Sequence, residues 1–437
     1  MMRCTGCGRV LSLGPSGPWA CPGRDSGDDV DHVLVPELSR VGVTFPRSGS
    51  DNPFVRYREL LASYRPELKP DDEFVDMVTS LDDAVAAVDG RRFRITPLLR
   101  SDRLGCWVKD ETGNVAGSHK GRHLMGLMLH LMVWDAPRAP LAAIAPLAPL
   151  VPLAIASCGN AALAAAVIAK AAGRELLVFV PAWADPAVVD RLRGLGAVVT
   201  PCPRVAGLAG DQARDQAGDP SYLQFRRAVA AGAVPFGCQG CDNGLTVDGG
   251  STIGWELSAQ MADAGVQPDR VVIQVGGGAL ASAVLRGLED GVKLGVLARM
   301  PVVHAVQTEG AWPLVRAYEE VAKRIAGGTP PDQALVHAAT HRSGYMWPWE
   351  GEPASIATGI IDDETYDWLA VVRGLVGTGG LPVVVDETTL RSANHLAREA
   401  TSIPVGYTGS AGLAGLLELR RRGVIQAGEQ VVVLFTG

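Results

Sequence analysis

Gly117-Ser118-His119-Lys120-Gly121-Arg122-His123 decides how the chain is read. It follows a charged, strand-like run, Cys106-Trp107-Val108-Lys109-Asp110-Glu111, and a short turn, Thr112-Gly113-Asn114. It opens an apolar, methionine-rich stretch at 124–133 that predicts a helix. A lysine at such a junction stands at the positive end of a helix dipole, where an added cation is disfavoured. That setting suits an amine that must attack a carbonyl. Taken alone, the same residues also read as a solvated lysine at a helix start.

The rest of the chain supplies the context. Its 437 residues, 47% hydrophobic and 20% charged, support a large core in two subdomains. A net charge of −7 gives no general attraction to nucleic acid or to an anionic membrane. The opening Met1-Met2-Arg3-Cys4-Thr5-Gly6-Cys7 lacks the apolar run of a signal peptide. One long uncharged run, 139–160, carries Pro140, Pro146, Pro149 and Pro152, which break a helix repeatedly. It reads as a packed loop leading into a strand, not as a membrane span. Eight cysteines in a chain of this length point to reduced thiols, a metal site and a cytoplasmic location.

Residues 1–35 stand apart from the body at 36–437. Cys4-x-x-Cys7 followed by Cys21-Pro22-Gly23-Arg24 looks like a zinc ribbon whose second knuckle has lost its last cysteine. Zinc takes four tetrahedral ligands, so Cys4, Cys7 and Cys21 need a fourth from His32, Asp25, Asp28, Asp29 or Asp31. The competing reading is a degenerate ribbon without metal. Asn52-Pro53-Phe54-Val55-Arg56-Tyr57-Arg58-Glu59-Leu60-Leu61 predicts a capped amphipathic helix.

From residue 153 strand and helix alternate. Strands are expected at 153–156, 175–180 and 197–200, and helices at 161–172 and 186–195. A second such block runs from residue 270, with strands at 271–275, 302–307 and 430–435 and a helix at 280–288. The expected class is therefore α/β, in two subdomains of parallel-rich twisted sheets flanked by helices. No repeat of 20–50 residues is evident. Met346-Trp347-Pro348-Trp349, within the less legible 325–375 region, suits either a pocket lid or a packed surface loop, and we favour the loop.

Two turns carry chemistry. Gly276-Gly277-Gly278-Ala279-Leu280 follows a strand and opens a helix, so its backbone N–H groups can approach a phosphate. It lacks both the dinucleotide glycine spacing and the lysine of a P-loop. Ser157-Cys158-Gly159-Asn160 also ends a strand and starts a helix, a natural carboxylate site or a simple helix cap. Cys158 suits a buried thiol better than a nucleophile. Cys238-x-x-Cys241 reads as a pair of loop thiols.

Over about residues 50–437 the chain resembles the pyridoxal-phosphate (PLP) enzymes of fold type II, the tryptophan synthase β / threonine synthase / serine-threonine dehydratase superfamily. These place a Schiff-base lysine in a Ser-x-Lys-x-Arg or Ser-His-Lys motif. Arg122 is similar to the threonine synthase and dehydratase version, and His119 to the tryptophan synthase β version. The resemblance implies a catalytic domain at 36–437 with Lys120 as cofactor anchor and general base, and His119 beside it. It assigns the phosphate to Gly276, Gly277, Gly278, Ala279 and Leu280. Ser157, Cys158, Gly159 and Asn160 would grip the substrate carboxylate, with Asn160 also on the ring oxygen of the cofactor. The final strand, ending in Thr436-Gly437, would bring a hydroxyl to the pyridine nitrogen. Thr96-Pro97-Leu98, Asp248-Gly249-Gly250-Ser251-Thr252-Ile253-Gly254-Trp255-Glu256 and Thr408-Gly409-Ser410-Ala411-Gly412 are similar to further segments of the family. Short cysteine-bearing N-terminal segments also occur in some threonine synthase-like proteins.

The implied activity is a PLP-dependent lyase or synthase acting on an amino acid by β- or γ-elimination or replacement, threonine synthase-like or threonine/serine dehydratase-like. The implied protein is a homodimer with a small-molecule amino-acid substrate and neither nucleic acid nor membrane as partner. The alternatives are β-replacement in the manner of tryptophan synthase β or cysteine synthase, and a catalytically idle PLP-fold protein whose N-terminal ribbon binds a partner.

Overall fold

Strand-forming β-branched runs and alanine-rich helices alternate in this chain, and the computed structural model shows them stacked into two sheets with helices on their faces. It describes all residues except 15, 16, 40, 136–149, 204–218 and 352. Pro140, Pro146 and Pro149 of the uncharged run thus lie outside the described residues. No described helix is long and apolar enough to cross a membrane.

Strands are numbered in chain order. β1 (Met2–Cys4), β2 (Val10–Leu11) and β3 (Leu34–Pro36) form a small antiparallel sheet in the N-terminal segment. β4 (Leu98–Ser101), β5 (Cys106–Asp110), β10 (Arg270–Gln274), β11 (Val302–Thr308), β12 (Pro382–Val385) and β13 (Val431–Phe435) form the large sheet, ordered β12-β11-β10-β13-β5-β4. All its pairings are parallel except the β4–β5 edge. β6 (Leu153–Ala156), β7 (Leu176–Pro181), β8 (Val198–Cys202) and β9 (Val234–Pro235) form a second, wholly parallel sheet, ordered β8-β7-β6-β9.

The run of five apolar residues in β13 follows from its place. Val432 and Leu434 join one hydrophobic cluster, while Val431, Val433 and Phe435 join the cluster on the opposite face. A central parallel strand is covered on both sides, so it needs no polar alternation. The Lys120–Asp135 helix packs with the Asn160–Ala171 helix and the second sheet in a third cluster, which joins the two halves.

Several expected bounds shift. The methionine-rich helix begins at Lys120 rather than at 124, so the lysine is its first residue. The helix expected at 52–61 is a single turn, Pro53–Arg56, followed by the 3-10 turn Arg58–Leu60. Asn52 caps it as expected, accepting from the Phe54 N–H at 2.9 Å, but Tyr57 leaves helical geometry at φ −99°, ψ 21°. β4 and β12 were not foreseen. β4 is the antiparallel edge that makes the large sheet mixed rather than purely parallel. The tryptophan cluster forms a surface clamp: the Arg316 guanidinium lies 4.3 Å from the Trp347 ring and 4.7 Å from the Trp349 ring, and it pairs with Glu350.

Candidate active site

β5, β13 and β10 run parallel and side by side, so their carboxyl ends emerge on one edge of the large sheet. Open α/β sheets place ligands at this edge. Three of the stretches singled out above leave from it. β5 leads through Glu111 and the turn Val115–Gly117 to Lys120, β10 leads to Gly276, and β13 ends at Thr436. Contacts close the group: Gly437 abuts the Gly117 carbonyl and Ser118, and Gly409 abuts the Thr436 carbonyl, each too close for any side chain.

Lys120 is half-buried. Its backbone N–H donates to Ser118 Oγ at 3.4 Å, while its amine makes no hydrogen bond or ion pair among the described residues. The charge of Lys120 acts on His119, His123, Cys238, Asp362 and Asp367, which surround it. His119 is buried with neither ring nitrogen partnered. Burial first, and Lys120 second, holds its pKa well below the usual histidine value. A neutral imidazole keeps one N–H to donate and one lone pair to accept. His123 Nδ1 donates to the Thr246 carbonyl at 2.8 Å, and burial pushes that ring down to about 3.

Gly276, Gly277 and Gly278 form the turn between β10 and the Ala279–Lys293 helix. Gly278 has φ +95°, a backbone region that favours glycine. The turn is covered by residues 359–367, the part of the chain that sequence reasoning could not place. A side chain at Gly276 would collide with Asp362, and one at Gly277 would meet the Tyr366 ring at 3.0 Å. The Asp367 N–H donates to the Gly277 carbonyl at 2.9 Å, and its carboxylate accepts from the Gly240 N–H at 3.2 Å. Asp362 also acts electrostatically on Cys158, so it stands between the lysine, the glycine turn and the Ser157 loop. Only the acidic run Asp362-Asp363-Glu364 beside Tyr366 hinted at this in the sequence.

Burial pushes Asp362 up to about 6 and Asp367 up to about 7, with Lys120 opposing both. Both folded pKa values lie above the unfolded value of 3.8, so the folded chain binds more protons between them. Their contribution to stability is present below about pH 4 and lost as pH rises through 6 to 7. Unfolding in urea should therefore show a loss on the order of 4 kcal/mol between pH 5 and pH 8. Asp367→Asn, which keeps an acceptor for Gly240, should remove most of that slope; an unchanged slope would show that other groups carry it.

The Ser157 loop leaves the end of β6. Ser157 Oγ accepts from the Gly159 N–H at 3.4 Å, and Asn160 is the exposed first residue of its helix. Burial raises the Cys158 pKa, as expected of a thiol that stays protonated. Cys238 and Cys241 are free thiols, and burial raises both. Thr436 is buried, and its Oγ1 accepts from Gln274 Nε2 at 3.0 Å, which leaves its own proton to donate.

A buried charge cluster fixes the start of the lysine helix. Arg122 donates to Glu111 Oε2 at 2.8 Å and to Glu256 Oε1 at 2.5 Å, and Lys109 Nζ reaches Glu256 Oε2 at 2.5 Å. Thr96 Oγ1 bonds both carboxylates, and Thr252 Oγ1 accepts from Arg122 at 3.0 Å. All four charged side chains are fully buried. Burial opposes the Arg122 charge, but Glu111 and Glu256 outweigh it and raise its pKa; the same pairing holds Glu256 low against burial. The Thr-Pro-Leu and Gly-x-x-Thr-Ile-x-x-Glu segments are thus two sides of one network under Lys120.

An unpartnered amine, an orphaned neutral imidazole, a glycine turn at a helix start and a strand-end hydroxyl offer what the aldehyde, phosphate and ring of pyridoxal phosphate require. The comparisons agree. The pyridoxal-phosphate dependent enzyme family matches residues 91–437, and the chain belongs to it. Threonine synthase of Methanosarcina acetivorans is 30% identical over 196 residues, which cover 45% of this chain and 42% of that enzyme. The chain thus spans less than half of the archaeal threonine synthases it matches. Threonine synthase of Mycobacterium tuberculosis is 23% identical over 90% of this chain and 91% of its own length. Among solved structures, a threonine deaminase from T.th. superposes with a TM-score of 0.55 at 23% identity, over 82% of this chain and 97% of its own. Maize serine racemase does so with 0.55 at 20%, over 82% and 92%. The likeness to these structures is one of fold.

Proposed function

We propose that the chain is a PLP-dependent lyase or synthase that acts on an amino acid by elimination or replacement at Cβ or Cγ, in the manner of threonine synthase or threonine/serine dehydratase. The observation that carries the reading is the unpartnered Lys120 amine at the shared edge of β5, β10 and β13. In this reading Lys120 anchors the cofactor. Residues 276–280 hold its phosphate through backbone N–H groups, with a neutral N–H from His119. Asn160 and Thr436 hold the ring. When bound, pyridoxal phosphate supplies the electron sink that lets a proton leave the substrate Cα.

The residues of the chain do the rest. Backbone N–H groups opening the Asn160–Ala171 helix, with the Ser157 hydroxyl, grip the substrate carboxylate. Lys120 takes the α-proton as general base. Thr436 offers the ring nitrogen a neutral hydroxyl instead of a carboxylate, which keeps the sink moderate, and departure of a leaving group from Cβ or Cγ tolerates that. Arg122 and its carboxylate partners keep the lysine helix in register.

One observation favours a second reading. His119 is orphaned and stands in Ser118-His119-Lys120, the arrangement resembling tryptophan synthase β, so β-replacement is the rival chemistry. A screen of O-phosphohomoserine, threonine, serine, O-acetylserine, and indole with serine separates the two. The leading reading expects turnover of O-phosphohomoserine, threonine or serine without a second substrate. Turnover confined to O-acetylserine with a nucleophile, or to indole with serine, would replace it. The same resemblance supports a cytoplasmic homodimer, which light scattering of the purified protein and cell fractionation test.

A further inference from the structure

The N-terminal segment brings together four side chains that the proposed reaction does not use. Cys4, Cys7, Cys21 and His32 place one ligand atom each within 4.8 Å of all the others, the one such cluster found among the described residues. Cys7 Sγ lies 3.8 Å from Cys21 Sγ, and Cys4 Sγ lies 3.5 Å from His32 Nδ1. A tetrahedron with metal–sulfur bonds of about 2.3 Å has sulfur–sulfur edges of about 3.8 Å, and its sulfur–nitrogen edges are slightly shorter. Two of the six edges of such a tetrahedron are thus already in place, and the other four are no longer than 4.8 Å. The Cys7–Cys21 separation is far too long for a disulfide bond.

The surroundings fit a closed metal site as well. The Cys7 N–H points at Cys4 Sγ from 3.5 Å, as in a thiolate knuckle. His32 Nε2 faces the Asp28 carboxylate at 3.0 Å, which orients the ring and turns Nδ1 toward the thiols. At Gly23 a side chain would stand 2.7 Å from the His32 ring, so glycine there lets the histidine reach the cysteines. Of the five candidates for fourth ligand, geometry selects His32 and makes Asp28 its support.

Asp29 and Asp31 point away from this cluster and into the body. Asp29 accepts from the backbone N–H and hydroxyl of Ser343, both at 2.8 Å. Asp31 accepts from Trp368 Nε1 at 3.2 Å and pairs with Arg342. Arg24 donates to the Cys241 carbonyl at 2.7 Å and to Asp242 at 3.0 Å. Trp368 directly follows Asp367, whose N–H holds the Gly277 carbonyl. Residues 24–31 thus join the cysteine cluster to the cover of the glycine turn.

We propose that Cys4, Cys7, Cys21 and His32 bind one structural zinc ion, and that this ion fixes residues 24–31 as a brace for the 364–368 segment over the glycine turn. The full chain, purified reduced and loaded with zinc, should retain one zinc per chain after dialysis, measured by elemental analysis. Cys21→Ser should retain none, while Cys202→Ser, in β8, should retain one. Cobalt in place of zinc should give the charge-transfer and visible bands of a tetrahedral thiolate site. Hydrogen exchange, followed without added cofactor, reads the brace. Chelation should speed exchange at 364–368 by about tenfold or more, with the strands of the large sheet unchanged. Asp31→Asn should keep the zinc and show the same local acceleration. A reduced protein that binds no zinc, or Cys21→Ser that binds it equally, would overturn the site. Exchange at 364–368 indifferent to chelation would overturn the brace.

Discussion

Lys120→Ala is expected to lower kcat/KM on the best amino-acid substrate by at least about 1,000-fold while leaving the fold intact. A positioned general base alone contributes about 100- to 10,000-fold, and loss of the covalent anchor adds to that. The fold should survive because the Lys120 amine has no hydrogen bond or ion pair to lose among the described residues. Circular dichroism and the urea midpoint should stay within error of the wild type. Lys120→Arg should be as inactive as the alanine variant, since a guanidinium keeps the charge but does not release a proton near neutral pH. The comparison separates charge from chemistry. A Lys120→Ala protein within tenfold of the wild type would remove the lysine from the mechanism.

Arg122→Met should have the largest effect on stability, a loss of about 3–5 kcal/mol in urea unfolding. The reason lies in what it leaves behind. Glu111 and Glu256 are both fully buried, and only Lys109 would remain to neutralise two carboxylates. An unpaired buried charge costs far more than the pair contributes. Arg47→Ala is the useful contrast. Its partner Asp263 and the arginine itself are about half exposed, and such pairs contribute about 0–1 kcal/mol. Since Arg122 lies two residues after Lys120, partial loss of this support should also loosen the helix start that aims the amine. An Arg122→Met protein as stable as Arg47→Ala would mean that the cluster relaxes or takes up water.

The parts of the site that were legible in the sequence share one property: each sits at the end of a strand and carries its signal locally. The turn at 276–278 and Thr436 follow or end β-branched runs, and Lys120 follows the charged run of β5 and its turn, so their neighbourhood announced the strand end without knowledge of the fold. The strand order then brought them to one edge. What stayed hidden depends on partners distant in the chain. Glu256 and Lys109 are separated by 147 residues, and nothing in either segment names the other. Asp362, Tyr366 and Asp367 lie in irregular chain without hydrophobic period, so no pattern could seat them on the glycine turn. His32 was one of five possible fourth ligands because spacing alone does not distinguish an acid from an imidazole; distances to the thiols do. The 52–61 segment went wrong for a local reason. Its apolar spacing fits a helix, but Tyr57 is drawn into the core, fully buried against Phe45 and Trp255, and ends the helix after one turn.

The proposed function turns on Lys120 as the residue that carries pyridoxal phosphate, and borohydride trapping decides it. The purified protein, saturated with pyridoxal phosphate and treated with borohydride, should lose its visible absorption band. Proteolysis and mass spectrometry should then find one reduced pyridoxyl group per chain, on the peptide that holds Ser118-His119-Lys120. A protein that takes up no pyridoxal phosphate, or a pyridoxyl label scattered over other lysines with Lys120 unmodified, would mean that this lysine is not the anchor.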